Sequence, residues 1–126
     1  MSISKIIIGL TLSLLLGSSV AIAADFGRGL EAKNSGDFKT ALAEWIPLAE
    51  QDNAMAQFNL GHMYANGYGV PENDKTAVKW YNLASYNGNK NAGENKDKIA
   101  KQMTPADISK AQDMSSACLA SNYMDC

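Results

Sequence analysis

Few residues of this sequence could do chemistry. The one histidine, His62, has no carboxylate or thiol at a spacing that would make it a general base or a metal ligand. The two cysteines, Cys118 and Cys126, both lie near the C-terminal end. Two thiolates do not complete a zinc shell, and His62 is remote from them in sequence. Nucleophilic catalysis needs a Ser, Thr or Cys within reach of a base, yet neither G-x-S-x-G nor H-E-x-x-H occurs. The acid pairs Glu50 with Asp52 and Glu94 with Asp97 sit among polar residues, with nothing to desolvate them. These observations predict no catalytic residue, no metal and no cofactor. What remains is a small set of aromatic side chains, and their use depends on the elements that carry them.

The chain has 126 residues, 46% hydrophobic and 19% charged, which is enough for one compact domain and excludes a multidomain enzyme. Its first acidic residue is Asp25. The stretch before it carries one charge, Lys5, then the apolar run Ile6 to Leu16, then small residues ending in Ala21-Ile22-Ala23. A membrane span needs about 20 apolar residues, so this shorter run reads as an export signal, 1–23, cleaved after Ala23. The remainder, 24–126, holds 10 basic and 13 acidic groups and crosses no membrane. A periplasmic or secreted location follows. In that oxidising setting an even cysteine count predicts a structural disulfide between Cys118 and Cys126, worth about 2–3 kcal/mol for a short loop. A metal site and a reactive thiol are the less supported alternatives. Nucleic acid is not an expected partner, because Lys96, Lys98 and Lys101 are interleaved with Glu94 and Asp97 and make a solvated helix face.

Shifting the sequence by 36 places superimposes Lys39-Thr40-Ala41-Leu42 on Lys75-Thr76-Ala77-Val78, Trp45 on Tyr81 and Ala56 on Ala92. A period of this size marks stacked supersecondary units, none able to bury its apolar face alone. The full unit, 53–92, reads as two helices. Asn53 caps the first, which places Ala56, Leu60, Met63 and Tyr64 on one face and ends at Gly67. Gly61 inside it costs about 1 kcal/mol of helix propensity, which suggests the close approach of a neighbouring backbone. The second helix starts near Asp74 as its cap, buries Ala77, Trp80, Tyr81 and Ala84, and stops at Gly88. Upstream, 26–52 is a degenerate unit with helices over Phe26 to Asn34 and Phe38 to Gln51, the latter bent near Ala43 to Ile46 by Pro47. Downstream, 93–126 closes the array. A polar helix covers Asn89 to Gln102, and Thr104-Pro105-Ala106-Asp107 opens another that carries Ile108, Ala111, Ser115, Cys118 and Leu119 on one face. The bridge would fold Ser121 to Asp125 against the end of that last helix.

With Ala56, Leu60 and Tyr64 facing the core, Phe58, His62 and Ala65 fall on the opposite side of their helix. Phe58 then either packs on the preceding helix pair or meets a partner. His62 reads as a partly exposed polar residue or as part of the same contact face. Tyr68, between Gly67 and Gly69, is either a loop-tip anchor or a ring folded over the helix pair. Trp45, Trp80 and Tyr81, at helical spacing, are core.

The run Ala56-Gln57-Phe58-Asn59-Leu60-Gly61-His62-Met63-Tyr64-Ala65-Asn66-Gly67-Tyr68-Gly69-Val70, continued by Asp74, Ala77, Trp80, Tyr81, Ala84, Gly88 and Ala92, resembles the Sel-one-like repeat, a relative of the tetratricopeptide repeats. The resemblance implies an all-α solenoid of antiparallel helix pairs, with those residues as fold determinants. Gly36-Asp37-Phe38 and Ala41-Leu42 look like the same turn and second helix, and the tail is similar to the closing helices of small exported bacterial members. Beyond Ala92 the match fails, since Leu60 and Gly61 face Lys96 and Asp97. The implied role is that of a noncatalytic adaptor of the bacterial cell envelope that holds a protein or peptide of unknown identity in a groove; Phe58, His62 and Tyr68, from their positions on the helix face and loop tip, are the candidate contacts. One alternative is an assembly part that completes its core by oligomerising or docking. The other is an enzyme like the cysteine-rich relatives with β-lactamase activity, which carry a cysteine pair in each repeat; this repeat region has none.

Overall fold

The computed structural model of the chain describes residues 23–126, so the expected export signal, apart from Ala23, lies outside the described residues. Those residues form six helices and no strand: α1 (Phe26–Asn34), α2 (Phe38–Ala49), α3 (Ala54–Asn66), α4 (Asp74–Tyr86), α5 (Ala92–Ala100) and α6 (Pro105–Ala120). The fold is an all-α stack of antiparallel helix pairs. Capping sets most starts. Asp25, Asp37, Asn53, Asn73 and Thr104 each accept a hydrogen bond from the amide three residues on, which satisfies an otherwise orphaned donor and stabilises each helix by about 1 kcal/mol.

Four boundaries differ from expectation. Asn73, not Asp74, caps α4, because its side chain is the one that reaches the Thr76 amide; Asp74 becomes a first-turn acid that favours the helix dipole. The polar helix begins at Ala92 rather than Asn89, because the Asn89 side chain accepts from the amides of Asn91 and Ala92 and holds a turn. It also stops at Ala100 rather than Gln102. Helix α2 runs unbroken through Pro47 and ends at Ala49 instead of Gln51. Pro47 falls in its last turn, and the following chain bonds back through Asn53 to the Leu48 carbonyl.

Helix α1 packs on α2, α2 on α3 and α3 on α4, while α5 and α6 both pack on α4. The upstream unit is less degenerate than its sequence. Phe26 stacks on Trp45 with centroids 5.7 Å apart, and Phe58 meets Tyr81 at 5.6 Å. Gly29 lies against the Trp45 ring as Gly61 lies against Tyr81. The two hairpins thus repeat the same contacts, but the first turn, residues 35–37, is four residues shorter than the second, 67–73. A single shift of 36 therefore aligns the second helices and misses the first.

The neighbour at Gly61 is a side chain and not the expected backbone: a Cβ there would stand 2.7 Å from Tyr81 Cδ1 and Cε1. Since Tyr81 is buried and cannot swing aside, Gly61→Ala is expected to cost about 1–3 kcal/mol by overpacking, more than the propensity of about 1 kcal/mol it recovers. Urea unfolding tests this, and unchanged stability would mean that the Tyr81 ring is free to move.

The main core joins Leu42, Trp45 and Ala49 of α2 to Leu60 and Met63 of α3, Trp80 and Leu83 of α4, and Cys118 of α6. A second cluster, Ala77, Tyr81, Ala84 and Ala92, joins α4 to α5. Cys118 and Cys126 form the expected disulfide, with Cα atoms 4.7 Å apart. The tail does more than fold against α6. The Tyr123 hydroxyl donates to Asp52 and receives bonds of 3.2 Å from the amides of Gln57 and Asn87. Lys79, laid over the Trp80 ring, donates to the Cys126 carbonyl at 2.7 Å. Burial holds the Lys79 ammonium below its ordinary pKa, against the opposing pull of Glu50.

Candidate functional site

The stack leaves a cleft of about 300 Å³ between the C-terminal half of α3, the loop 67–73, the start of α4 and the outer face of α5. Loop placement follows from the glycines. Gly69 has φ +70 and packs on α2, where a Cβ would stand 2.6 Å from the Cβ of Phe38, so only glycine brings the loop so close. Tyr68 then stacks on Phe38, centroids 4.9 Å apart and planes 12° from parallel.

His62 lines the cleft and meets the Tyr68 ring edge-on at 5.8 Å. The Asn66 amide donates to the His62 carbonyl at 2.8 Å and lies 3.3 Å from Nδ1. Burial, and then the charge of Lys33, lowers the His62 pKa, which keeps the ring neutral at neutral pH. Tyr68 remains 36% exposed beside it. Phe58 is elsewhere. It is half-buried in the second core cluster against Tyr81, so it packs on the second helix of its own pair and not on the preceding pair. Of the three residues expected to meet a partner, the structure brings His62 and Tyr68 together and sets Phe58 apart from them, against Tyr81.

Tyr81 is the residue that sequence reasoning assigned only to the core. Its ring is 2% exposed, held between Gly61 and Phe58, and it lines the cleft. Among the described residues its hydroxyl makes no hydrogen bond, and no buried side-chain polar atom is left without a partner. The hydroxyl therefore stands at the cleft surface. Asn95 and Ile99 of α5 line the opposite wall one helical turn apart, with Gln102 just beyond the helix end, and the spacing of Asn95 and Ile99 was the available signal. At the loop edge stand Glu72 and Asp74, neither in an ion pair among the described residues, whereas Lys98 is paired with Glu94 at 3.2 Å.

Burial pushes the Tyr81 pKa up to about 12. An unfolded phenol loses its proton at about 10, so stability is complete below that pH and falls as pH rises toward about 12, by at most roughly 3 kcal/mol and by less to the extent that water in the cleft screens the phenolate. Tyr81→Phe is expected to remove this slope. Urea midpoints between pH about 9 and about 12 measure it, and an identical alkaline loss in both proteins would assign the effect to other groups.

Among the described residues no group of three or more His, Cys, Asp or Glu could hold a metal ion, and no helix is long and apolar enough to cross a membrane. The profile of the Sel1 repeat family matches residues 54–89, which comprise α3, the loop, α4 and the turn after it. No solved structure matches the chain.

Proposed function

We propose that the chain, whose residues 54–89 match the Sel1 repeat, a repeat that generally mediates protein–protein interaction and is typically noncatalytic, is an exported adaptor of the bacterial cell envelope. It holds a peptide or protein partner in the cleft between α3 and α5, with His62 and Tyr68 at the rim. The observation that carries this reading is the Tyr81 hydroxyl, which sits without a partner in a cleft walled by three helices and the repeat's own loop. The hydroxyl faces the cleft and bonds no other group among the described residues, so a bound chain that covers it can supply a partner. Export is supported by the Lys5, Ile6 to Leu16 and Ala21-Ile22-Ala23 pattern and by the Cys118–Cys126 bridge. Asp25 caps the first of the described helices, so removing residues 1–23 would leave those six helices whole.

Two measurements test the proposal. Mass analysis of the protein from the periplasmic fraction is expected to show an N-terminus at Ala24; an intact Met1 there would refute processing. Crosslinking and recovery from the native envelope, run beside His62→Ala and Tyr68→Ala, is expected to lose the partner in both variants. Equal recovery would remove this face from the function.

A further inference from the structure

We propose that the cleft between α3 and α5 is a seat for one cationic side chain, lysine or arginine, of a bound peptide. The inference rests on the adaptor reading and specifies what the adaptor recognises. Size comes first. A cleft of about 300 Å³ does not admit a helix about 10 Å across, but it accepts a single long side chain with the backbone on either side of it. The walls come second. Ala65 and Ile99 offer apolar contact to a methylene stem, and a lysine or arginine stem buries readily against such a surface while its head finds polar partners.

Charge decides the head group. Glu72 and Asp74 bring two carboxylates in no ion pair among the described residues. The single cation of the lining, Lys98, is offset by Glu94 at 3.2 Å and is exposed. His62 adds no positive charge at neutral pH. The amide carbonyls of the lining and the Tyr81 oxygen are further acceptors, and that oxygen is the polar end of a ring that is 2% exposed and has no partner among the described residues. An ammonium or guanidinium carries only donors and matches an acceptor-rich, net-acidic site. A carboxylate head would face two like charges, and an apolar head would leave the Tyr81 hydroxyl unpaired.

The test is titration of the mature protein with N-acetyl-lysine methylamide and N-acetyl-arginine methylamide, followed by NMR at the side-chain amides of Asn66, Asn95 and Gln102. Norleucine and glutamate counterparts serve as controls. Saturable shifts are expected for lysine and arginine, with dissociation constants on the order of millimolar, and none for norleucine or glutamate. Tyr81→Phe keeps the packed ring and is expected to weaken lysine binding about tenfold, as loss of one hydrogen bond to a charged group does. Glu72→Gln changes only an exposed loop residue and is expected to weaken it several-fold, with the difference shrinking as salt rises. Equal binding of glutamate or norleucine, absence of saturable shifts, or indifference to both substitutions would each overturn the seat. Failure here is separable from failure of the adaptor reading. Partner recovery that depends on His62 and Tyr68 without lysine binding leaves the adaptor and removes the seat. Lysine binding without a recoverable partner does the reverse.

Discussion

Trp45→Ala is expected to lower the unfolding free energy by about 3–5 kcal/mol, the largest loss of any single truncation in this chain. Trp45 is fully buried, stacks on Phe26, lies against Gly29 and donates from Nε1 to the Phe26 carbonyl at 3.2 Å. Truncation would remove the surface that α1 packs on, open a cavity that the backbone at Gly29 cannot fill, and leave that carbonyl without its side-chain donor. A domain of this size is stable by about 5–15 kcal/mol, so the variant would unfold in mild urea and α1 would become open to protease first. Trp45→Tyr is expected to cost far less, since tyrosine fills the equivalent place at Tyr81 against Gly61. Urea unfolding followed by the fluorescence of Trp80 measures both. A loss below about 1 kcal/mol for Trp45→Ala would mean that the first hairpin is not the packed copy of the second described above.

The second large effect is expected at the tail. Replacing both Cys118 and Cys126 by alanine should cost about 2–3 kcal/mol through the unfolded chain alone. The native state is expected to suffer as well, because the loop that the bridge closes carries Tyr123, whose hydroxyl is shared among Asp52, Gln57 and Asn87. Gln57 is fully buried and binds the Ala49 carbonyl at 2.9 Å and Asn87 at 3.0 Å, so the tail reaches the turn between α2 and α3 and the end of α4 at one point. Tyr123 also has φ +65, a left-handed conformation that a bulky residue holds only when its surroundings require it. A double-mutant cycle separates the two contributions. Tyr123→Phe is expected to cost 1 kcal/mol or more in the bridged protein, roughly a buried hydrogen-bond network's worth, and clearly less once both cysteines are alanine. Equal costs in both backgrounds would show that the bridge does not hold the tyrosine in place.

The sequence carried the helices because their limits are local. A cap acts over three residues and a left-handed glycine over one, so the extent of α3 and the start of α6 could be read from Asn53, Gly67 and Thr104. Two neighbouring candidates are what defeated the reading at Asn73 and Asp74, where only geometry shows which side chain reaches the free amide. The disulfide was legible because two cysteines allow one pairing. In the candidate site, His62 and Tyr68 were legible as polar and aromatic residues left over after the core was assigned, and the structure sets them side by side.

Tertiary structure alone decided the rest. Whether Phe58 faces its own pair or the previous one depends on how α3 is rotated over α4, and that rotation is set by Gly61 admitting the Tyr81 ring. Tyr81 reads as core from its spacing and packs with Ala77, Ala84 and Ala92, yet it also lines the cleft that Asn95 and Ile99 of α5 wall on the other side. The return of α6 onto α4, and the meeting of Tyr123 with Asp52 across an interval of 71 residues, follow from which apolar surfaces remain uncovered once the stack has formed. Local rules end within one helical turn; such closures depend on the shape of the whole.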